Sequence, residues 1–237
     1  MASDRRNPGD SAAGSDPGYA VELRLINQLV VIIGAGRTAM RKIPNLLATG
    51  ARIKIIDPAH LPDMPAHPQL THYKRCYQPT DLNSARLIFA ATNDSLVNAR
   101  IAKDAAAIGI LCCRVDSAED SDFITPARLL RPPLSFSVST GGESPAMASV
   151  LRDLLAEKIP PVWQTATEFA AVIRRKVLTE EHQIPYNQQV LLLLIEQGLL
   201  EYLEQSDRAG IDQLLLKHFG AGFSLKDLQF SLPEGTS

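Results

Sequence analysis

The most constraining feature of the chain is an apolar run that ends in a short glycine-rich loop. Leu29–Ile33 reads LVVII, and Gly34-Ala35-Gly36-Arg37-Thr38-Ala39 follows it directly. Apolar residues recur at helical spacing from Arg37 onward, so this GxGxxA pattern lies between a strand and a helix. In dinucleotide-binding folds the first glycine permits a tight turn, the second admits a pyrophosphate, and the small third residue lets helix and strand pack closely. The segment therefore predicts a dinucleotide site with its phosphates at a helix N-terminus.

Alternating strands and helices continue to residue 122. Helices are predicted for Arg37–Thr49, which Gly50 ends, and for about Ser95–Ile108. Pro44 lies inside the first helix, and its missing N–H predicts a kink. This alternation indicates the α/β class, with a mostly parallel sheet covered on both faces. The predicted strands are Leu29–Ile33, Arg52–Ile56, Leu70–Tyr77, Leu87–Ala91 and Ile110–Val115.

An acidic residue follows the second predicted strand. Asp57 lies about 20 residues after the glycine loop, where an acid accepts from the adenosine ribose hydroxyls. A carboxylate there repels the additional phosphate of NADP, so NAD is the predicted cofactor. Arg37 instead favours NADP, because a basic loop residue attracts that phosphate. The alternative is that the glycines only form a turn and the fold binds nothing.

Ligands of such folds lie beyond the carboxyl ends of the parallel strands. That rule selects the segment after the fourth strand, with Thr92, Asn93 and the nearby Asn98 as candidate cofactor contacts. It also selects Asp116, which follows the fifth strand. A turn-capping role for Asp116 is equally consistent with the sequence alone.

The pattern changes after residue 122. Leu134–Ser139 alternates apolar and polar residues as a half-exposed strand does, and Gly141-Gly142 then turns the chain. Ser144-Pro145 is typical of a helix start, and that helix runs to about Lys158. Further helices are predicted for about Val162–Glu180, Asn187–Gln205 and Gly210–Phe219, with a short one capped by Ser224. The predicted organisation is a disordered tail over 1–20, a Rossmann domain over 21–122, a small segment over 123–159 and a helical domain over 160–237.

Composition excludes several classes of function. The net charge of -2 is no signal for nucleic acid, and no uncharged apolar run approaches the roughly 20 residues of a membrane helix. The polar start is unlike a signal peptide, and the three cysteines lack a CxxC pattern, so we expect a cytoplasmic protein. The five histidines lack HxH or HxxxH spacing, so no protein metal site is predicted.

Several longer segments match a known family in chain order. They are GAGRTAMRK (Gly34–Lys42), AATNDSLVN (Ala90–Asn98), RVDSAEDSDFITPA (Arg114–Ala127) and SVSTGGESPAMASVLR (Ser137–Arg152). Together they resemble the precorrin-2 dehydrogenase / sirohydrochlorin ferrochelatase family of siroheme synthesis, including the N-terminal module of fused siroheme synthases. The resemblance covers roughly Val21–Lys158, and the later helices match only in general character.

The resemblance implies an activity and an assembly. It implies NAD-dependent oxidation of precorrin-2 to sirohydrochlorin and, in some members, insertion of ferrous iron to give siroheme. It implies a homodimer, with the 123–159 segment helping to form the dimer and the active cleft. The family's functional aspartate falls on Asp116, and dinucleotide contacts fall on Arg37, Thr38, Pro58 and Ala59. The chain departs from the family pattern at Pro44, Asp57, Cys113 and Arg114.

A tetrapyrrole rich in carboxylates requires a locally basic cleft. Arg128, Arg131 and Arg152 are candidate substrate contacts, because guanidinium groups bind carboxylates in bidentate fashion. Thr140 and Ser144 offer hydroxyls beside the glycine turn. Each arginine is equally consistent with an ordinary surface residue, and Thr140 with a structural turn residue.

Two other functions fit the same fold. A non-catalytic dinucleotide sensor would bind NAD without turnover and would tolerate loss of Asp116. A dehydrogenase of an unrelated small substrate would have no affinity for tetrapyrroles. These alternatives are distinguished by turnover and by tetrapyrrole binding.

Overall fold

The first part of the chain forms a parallel sheet in the order β3-β2-β1-β4-β5. The computed structural model describes residues 18–59, 61, 64–179 and 186–232. The central strands β1 and β4 are buried almost throughout, as expected for apolar strands covered on both faces. The strands are β1 Leu29–Ile33, β2 Arg52–Ile56, β3 Leu70–Tyr73, β4 Leu87–Ala90 and β5 Leu111–Arg114.

Helices cover the two faces of this sheet through separate apolar clusters. One cluster joins alternate strand residues such as Ile32 to the helices α1 Arg37–Met40 and α2 Ile43–Leu47. The other joins residues such as Ile33 to α3 Ser95–Ala107. The alternation of side chains along each strand sends successive residues to opposite clusters. The fold is therefore the α/β Rossmann-type sheet that the sequence predicts.

The helix predicted for Arg37–Thr49 is interrupted near Pro44, as its missing N–H requires. It forms α1 and α2, separated by a turn at Arg41 and Lys42, and Pro44 lies in the first turn of α2. Proline is tolerated there because first-turn amides have no partner within the helix. The predicted kink is confirmed as a complete break between two short helices.

Ion pairs stabilise the connection from β3 to β4, which contains a short 3-10 helix, Pro79–Leu82. The buried carboxylate of Asp81 accepts two hydrogen bonds from Arg75, at 2.7 and 2.6 Å, and one from Lys54 at 2.8 Å. Burial alone would raise the pKa of Asp81, but these bonds outweigh it and lower the pKa. The predicted strand Leu70–Tyr77 ends at Tyr73, because the chain then turns to supply Arg75 to this cluster.

The described residues divide into two compact units. The first runs to Thr125 and includes Gly141–Glu143; the second comprises Pro126–Thr140 and the chain from Ser144. The predicted boundaries lie at 122/123 and 159/160, whereas the structure groups the hairpin and the later helices in one unit. The second unit contains β6 Ala127–Arg131, β7 Leu134–Val138, α4 Pro145–Lys158, α5 Val162–Thr179, α6 Gln188–Glu196, α7 Leu199–Glu204 and α8 Arg208–Phe219.

The second unit has a helical core around Phe169 and Ile173, and α4 packs on an antiparallel β6–β7 hairpin. The helix predicted for Asn187–Gln205 is two helices, because Gly198 adopts φ +94° and ends α6. Ser224 begins a hydrogen-bonded turn and no helix, and β6 was not predicted. Residues 1–17 of the predicted tail and Glu180 lie outside the described residues. No helix in the described part is long and apolar enough to cross a membrane.

A test of the sheet uses the first loop glycine. Gly34 has φ +90°, and a Cβ placed on it would lie 2.4 Å from the Ala91 carbonyl oxygen. We expect Gly34→Ala to lower the free energy of unfolding by about 3 kcal/mol, combining left-handed backbone strain with overpacking. Gly109 is the matched control, with φ +72° and no atom within 4 Å of an added Cβ. Gly109→Ala should cost about 1 kcal/mol from backbone strain alone. Urea unfolding followed by circular dichroism measures both, and equal losses would contradict the close approach.

Candidate functional site

The glycine loop leaves backbone surface open at the carboxyl end of β1. Gly34 lies against the backbone of Ala91 and Thr92 and has no room for a side chain. Gly36 is the N-cap of α1, and no side chain caps the first amides of that helix. The nearest atom to a Cβ on Gly36 would be the Asn93 side-chain oxygen, 3.9 Å away. Uncapped amides beside an unobstructed glycine fit the pyrophosphate of a dinucleotide.

Asp57 connects the loop to the end of β2. One carboxylate oxygen accepts from the Ala35 amide and the other from the Ala59 amide, both at 2.7 Å. These bonds hold the loop and the turn through Pro58 in a fixed relation. The carboxylate is half-buried, and Arg37, Thr38, Pro58 and Ala59 are exposed around it. The predicted ribose acceptor thus also organises the backbone on which the cofactor would lie.

Asn98 on α3 ties the end of β4 to the end of β5. Its side-chain oxygen accepts from the amide and the hydroxyl of Thr92, at 3.0 and 2.7 Å. Its side-chain nitrogen donates to the Thr92 carbonyl and to an Asp116 carboxylate oxygen, both at 3.1 Å. Asn98 is fully buried. The structure therefore shows a supporting role for Asn98, whereas Asn93 is exposed on the same edge.

Asp116 stands at the carboxyl end of β5, held by two other side chains. Arg114 donates to both of its carboxylate oxygens, at 3.3 Å from Nε and 2.9 Å from Nη2. Hydrogen bonding from Arg114, against a smaller opposing effect of burial, holds the pKa of Asp116 below its ordinary value, and Asn98 contributes in the same direction. The result is a fixed, ionised carboxylate that remains accessible.

Cys113, one of the departures from the family pattern, lies in the core. It is buried, and burial raises the pKa of its thiol, so the thiol stays protonated at neutral pH. Lys42 lies nearby with its ammonium group 2.7 Å from the Thr125 hydroxyl and 5.1 Å from the Phe89 ring centroid. Burial lowers the pKa of Lys42. Cys113 is therefore part of the core packing beneath the site.

The Gly141-Gly142 turn lies against the loop that follows Asp116. A Cβ on Gly142, which has φ +97°, would lie 3.0 Å from the Ala118 side chain. The turn that the sequence singled out is therefore part of the first unit and lies close to the Asp116 loop. The structure brings together the glycine loop, Asp57, the segment after β4 and Asp116 at one edge of the sheet.

The predicted substrate contacts all lie in the second unit, where several have structural partners. Arg131 donates to the Ala156 and Ile159 carbonyls at the end of α4, and Arg128 donates to Ser135 across the hairpin. Arg152 pairs with its exposed neighbour Asp153. Thr140 accepts from the Ser144 amide, and Ser144 caps α4. These observations give each residue a local role, and substrate contact remains a prediction for all of them.

Sequence reasoning noted Arg114 only as a departure from the family pattern. The available signal was the position of a basic residue two places before Asp116, since guanidinium groups pair readily with nearby carboxylates. The burial of Asn98 had a signal too, because Asn98, Ile101 and Ala105 share one face of the predicted helix. Its bonds to Thr92 and Asp116 had none, because they depend on α3 lying over β4 and β5. Among the described residues, no three His, Cys, Asp or Glu side chains are grouped to hold a metal ion.

Comparisons with known proteins agree with this geometry. Residues 21–127 match a family model described as "Putative NAD(P)-binding". A siroheme synthase from Chromobacterium violaceum is 32% identical over 207 residues, which are 86% of this chain and 44% of that protein. One from Gluconacetobacter diazotrophicus is 36% identical over 172 residues, 69% of this chain and 37% of that protein. The chain thus spans less than half the length of these relatives.

A solved structure extends the likeness beyond the sheet. SirC, a precorrin-2 dehydrogenase, superimposes with a TM-score of 0.64 and 25% identity. The match covers 83% of this chain and 98% of SirC, so it extends beyond the dinucleotide fold into the second unit. With the glycine loop, Asp57 and Asp116 at the same ends of the strands, the chain is similar to this precorrin-2 dehydrogenase in fold and to siroheme synthases in sequence.

Proposed function

We propose that the protein is an NAD-dependent dehydrogenase that oxidises precorrin-2 to sirohydrochlorin. The observation that carries the proposal is the continuous edge from the glycine loop to Asp116, joined through Thr92 and Asn98. This arrangement supports the proposal because it combines a surface suited to a dinucleotide with an ionised carboxylate at the carboxyl ends of the strands of one sheet. The likeness to nearly the whole length of SirC supports a dehydrogenase rather than a sensor.

The residues of this edge suit the parts of that reaction. Bound NAD supplies the hydride acceptor. The uncapped amides that follow Gly36 would hold its pyrophosphate, Gly34 would permit the tight turn of the loop, and Asp57 would accept from its ribose. Asp116 either takes the proton that leaves the macrocycle or holds the macrocycle in register, and both roles need an ionised carboxylate. Ferrous iron, if the protein also inserts it, is a substrate held by the tetrapyrrole nitrogens.

The test is anaerobic incubation with precorrin-2 and NAD, followed by absorbance spectroscopy. We expect a sirohydrochlorin spectrum that needs both NAD and protein. Asp116→Asn should lower kcat about 100-fold, within the range for loss of an acid–base group, with NAD affinity retained. The exposed Glu196→Gln on α6 is the control. Ferrous iron is then added, and siroheme formed faster than without protein would establish chelation. No spectral change in protein that binds NAD would refute the dehydrogenase and favour the sensor.

Asp57 should set the preference for NAD over NADP. Asp57→Asn removes the negative charge and keeps one acceptor for the loop amides. We expect the ratio of the NADP Kd to the NAD Kd to fall about tenfold, because like-charge repulsion of the additional phosphate is lost. Isothermal titration calorimetry measures both constants. Asp104→Asn, on α3 with the Tyr77 hydroxyl as partner, is the control and should leave the ratio unchanged. An unchanged ratio in Asp57→Asn would assign the preference elsewhere.

We also propose that the protein is a homodimer in which α4 contacts a second copy. Met147, Val150, Leu151 and Leu154 form an apolar stripe at helical spacing on α4, and each is between 41% and 52% exposed. A contiguous exposed stripe of this kind is typical of an interface. The family resemblance implies a dimer through this same segment, which supports the proposal.

Sedimentation velocity tests the dimer. The double variant Leu151→Glu, Leu154→Glu places two charges on the stripe, and we expect a dimer to become a monomer, because burying unpaired charges is costly. Leu216→Glu on α8, where the leucine is 58% exposed, is the matched control and should leave the mass unchanged. A wild-type monomer, or a double variant that remains dimeric, would contradict the assignment of α4.

A further inference from the structure

Arg114 is the last residue of β5, and its guanidinium joins two carboxylates. Besides the two bonds to Asp116, its Nη1 donates to Asp120 at 2.8 Å. The Arg114 side chain is only 12% exposed, while those of Asp116 and Asp120 are 27% and 63% exposed. A cation so enclosed is held in one orientation, and planar bidentate pairing adds directional specificity.

The backbone that carries Arg114 is fixed as well. Its amide donates to the Ser121 hydroxyl at 2.8 Å, and the Asp122 carboxylate accepts from the Cys112 amide at 2.9 Å. The loop from Ser117 to Asp122 therefore folds back onto β5. Ser117 donates to Asp120 at 3.0 Å, which orients the second carboxylate toward the guanidinium.

We propose that Arg114 is a positioning residue for the reaction: its guanidinium, working with the Asn98 amide, fixes the orientation and the ionised state of the Asp116 carboxylate. The expected effect of Arg114 on catalysis rests on the proposed function. Asn98 holds one oxygen of Asp116 from α3, and Arg114 holds both from β5, so the carboxylate is restrained by two different elements. A carboxylate restrained in this way offers the substrate a negative charge in a constant place.

The charged groups around Asp116 decide how its titration should change. Arg114 is the cation that faces it; Asp120 competes for that cation, and the Cys112 thiol, near Arg114, has a raised pKa through burial. Asn98 carries no charge. Loss of the guanidinium removes the main influence that lowers the Asp116 pKa, so protonation then occurs at higher pH. Neutralising Asp120 leaves the cation to Asp116 alone and should not raise that pKa.

The first experiment is an NMR pH titration of labelled aspartate carboxyl carbons in the full chain, with Asp116→Asn to assign the resonance. In Arg114→Gln we expect the Asp116 pKa to rise by about one unit relative to wild type, at the low end for loss of an adjacent opposite charge. In Asp120→Asn it should stay the same or fall. Arg100→Gln, which removes an exposed arginine of α3, is the control and should have no effect. Because this titration needs no turnover, it tests the effect of Arg114 on Asp116 whether or not precorrin-2 is the substrate.

The second experiment is the pH profile of kcat/KM for precorrin-2 oxidation. Arg114→Gln should move the acidic limb to higher pH by the shift seen in the titration, and lower kcat about tenfold through loss of orientation, while the Kd for NAD stays within about twofold. Arg114→Lys keeps a charge without the bidentate fork and should restore part of the pKa shift. An Asp116 pKa that stays within about 0.3 units of wild type in a folded Arg114→Gln variant overturns the proposal. A pKa shift without turnover in wild type would instead refute only the proposed function.

Discussion

The buried amide of Asn98 is the interaction on which the arrangement of the site depends. It satisfies the amide and carbonyl of Thr92, where the chain leaves β4, and reaches Asp116, where the chain leaves β5. A buried amide is costly unless all of its groups have partners, and here both ends are used twice. The spacing of two neighbouring strand ends is thereby set by one side chain. Without it, the Asp116 carboxylate would be restrained from β5 alone.

At the carboxyl ends of the strands, a carboxylate with fixed partners lies on each side of the glycine loop. Asp57 is bound by two backbone amides, and Asp116 by Asn98 and Arg114. The two carboxylates therefore differ in how their charge is balanced, since partial charges stabilise the first and a full cation stabilises the second. Between them lies Gly36, where the uncapped first amides of α1 favour an anion. This order of carboxylate, amides and carboxylate suits a ligand that presents hydroxyls, then phosphates and then a reacting centre.

Local sequence patterns predicted the parts of the fold that depend on neighbouring residues. The strand before Gly34, the break at Pro44 and the helix start at Ser144 each follow from backbone chemistry within a few residues. The break at Gly198 was missed because it lies within a leucine-rich run that favours one long helix. The bonds that join Asn98 to Thr92 and Asp116 were missed because they require β4, β5 and α3 to be assembled. The position of Asp116 was predictable from the rule for strand ends, but its partners were not.

The crowding at Gly34 limits how the cofactor preference of this protein can change in evolution. Any side chain at that position would collide with the Ala91 carbonyl, so the first loop residue has no freedom to vary. The surface after β2 is different, because Pro58 and Ala59 are exposed and Asp57 is only half-buried. A lineage that adapts to another dinucleotide can change this turn or the exposed Arg37, but each change at Asp57 must also replace two bonds to backbone amides. A change of specificity through Asp57 is therefore coupled to the stability of the turn.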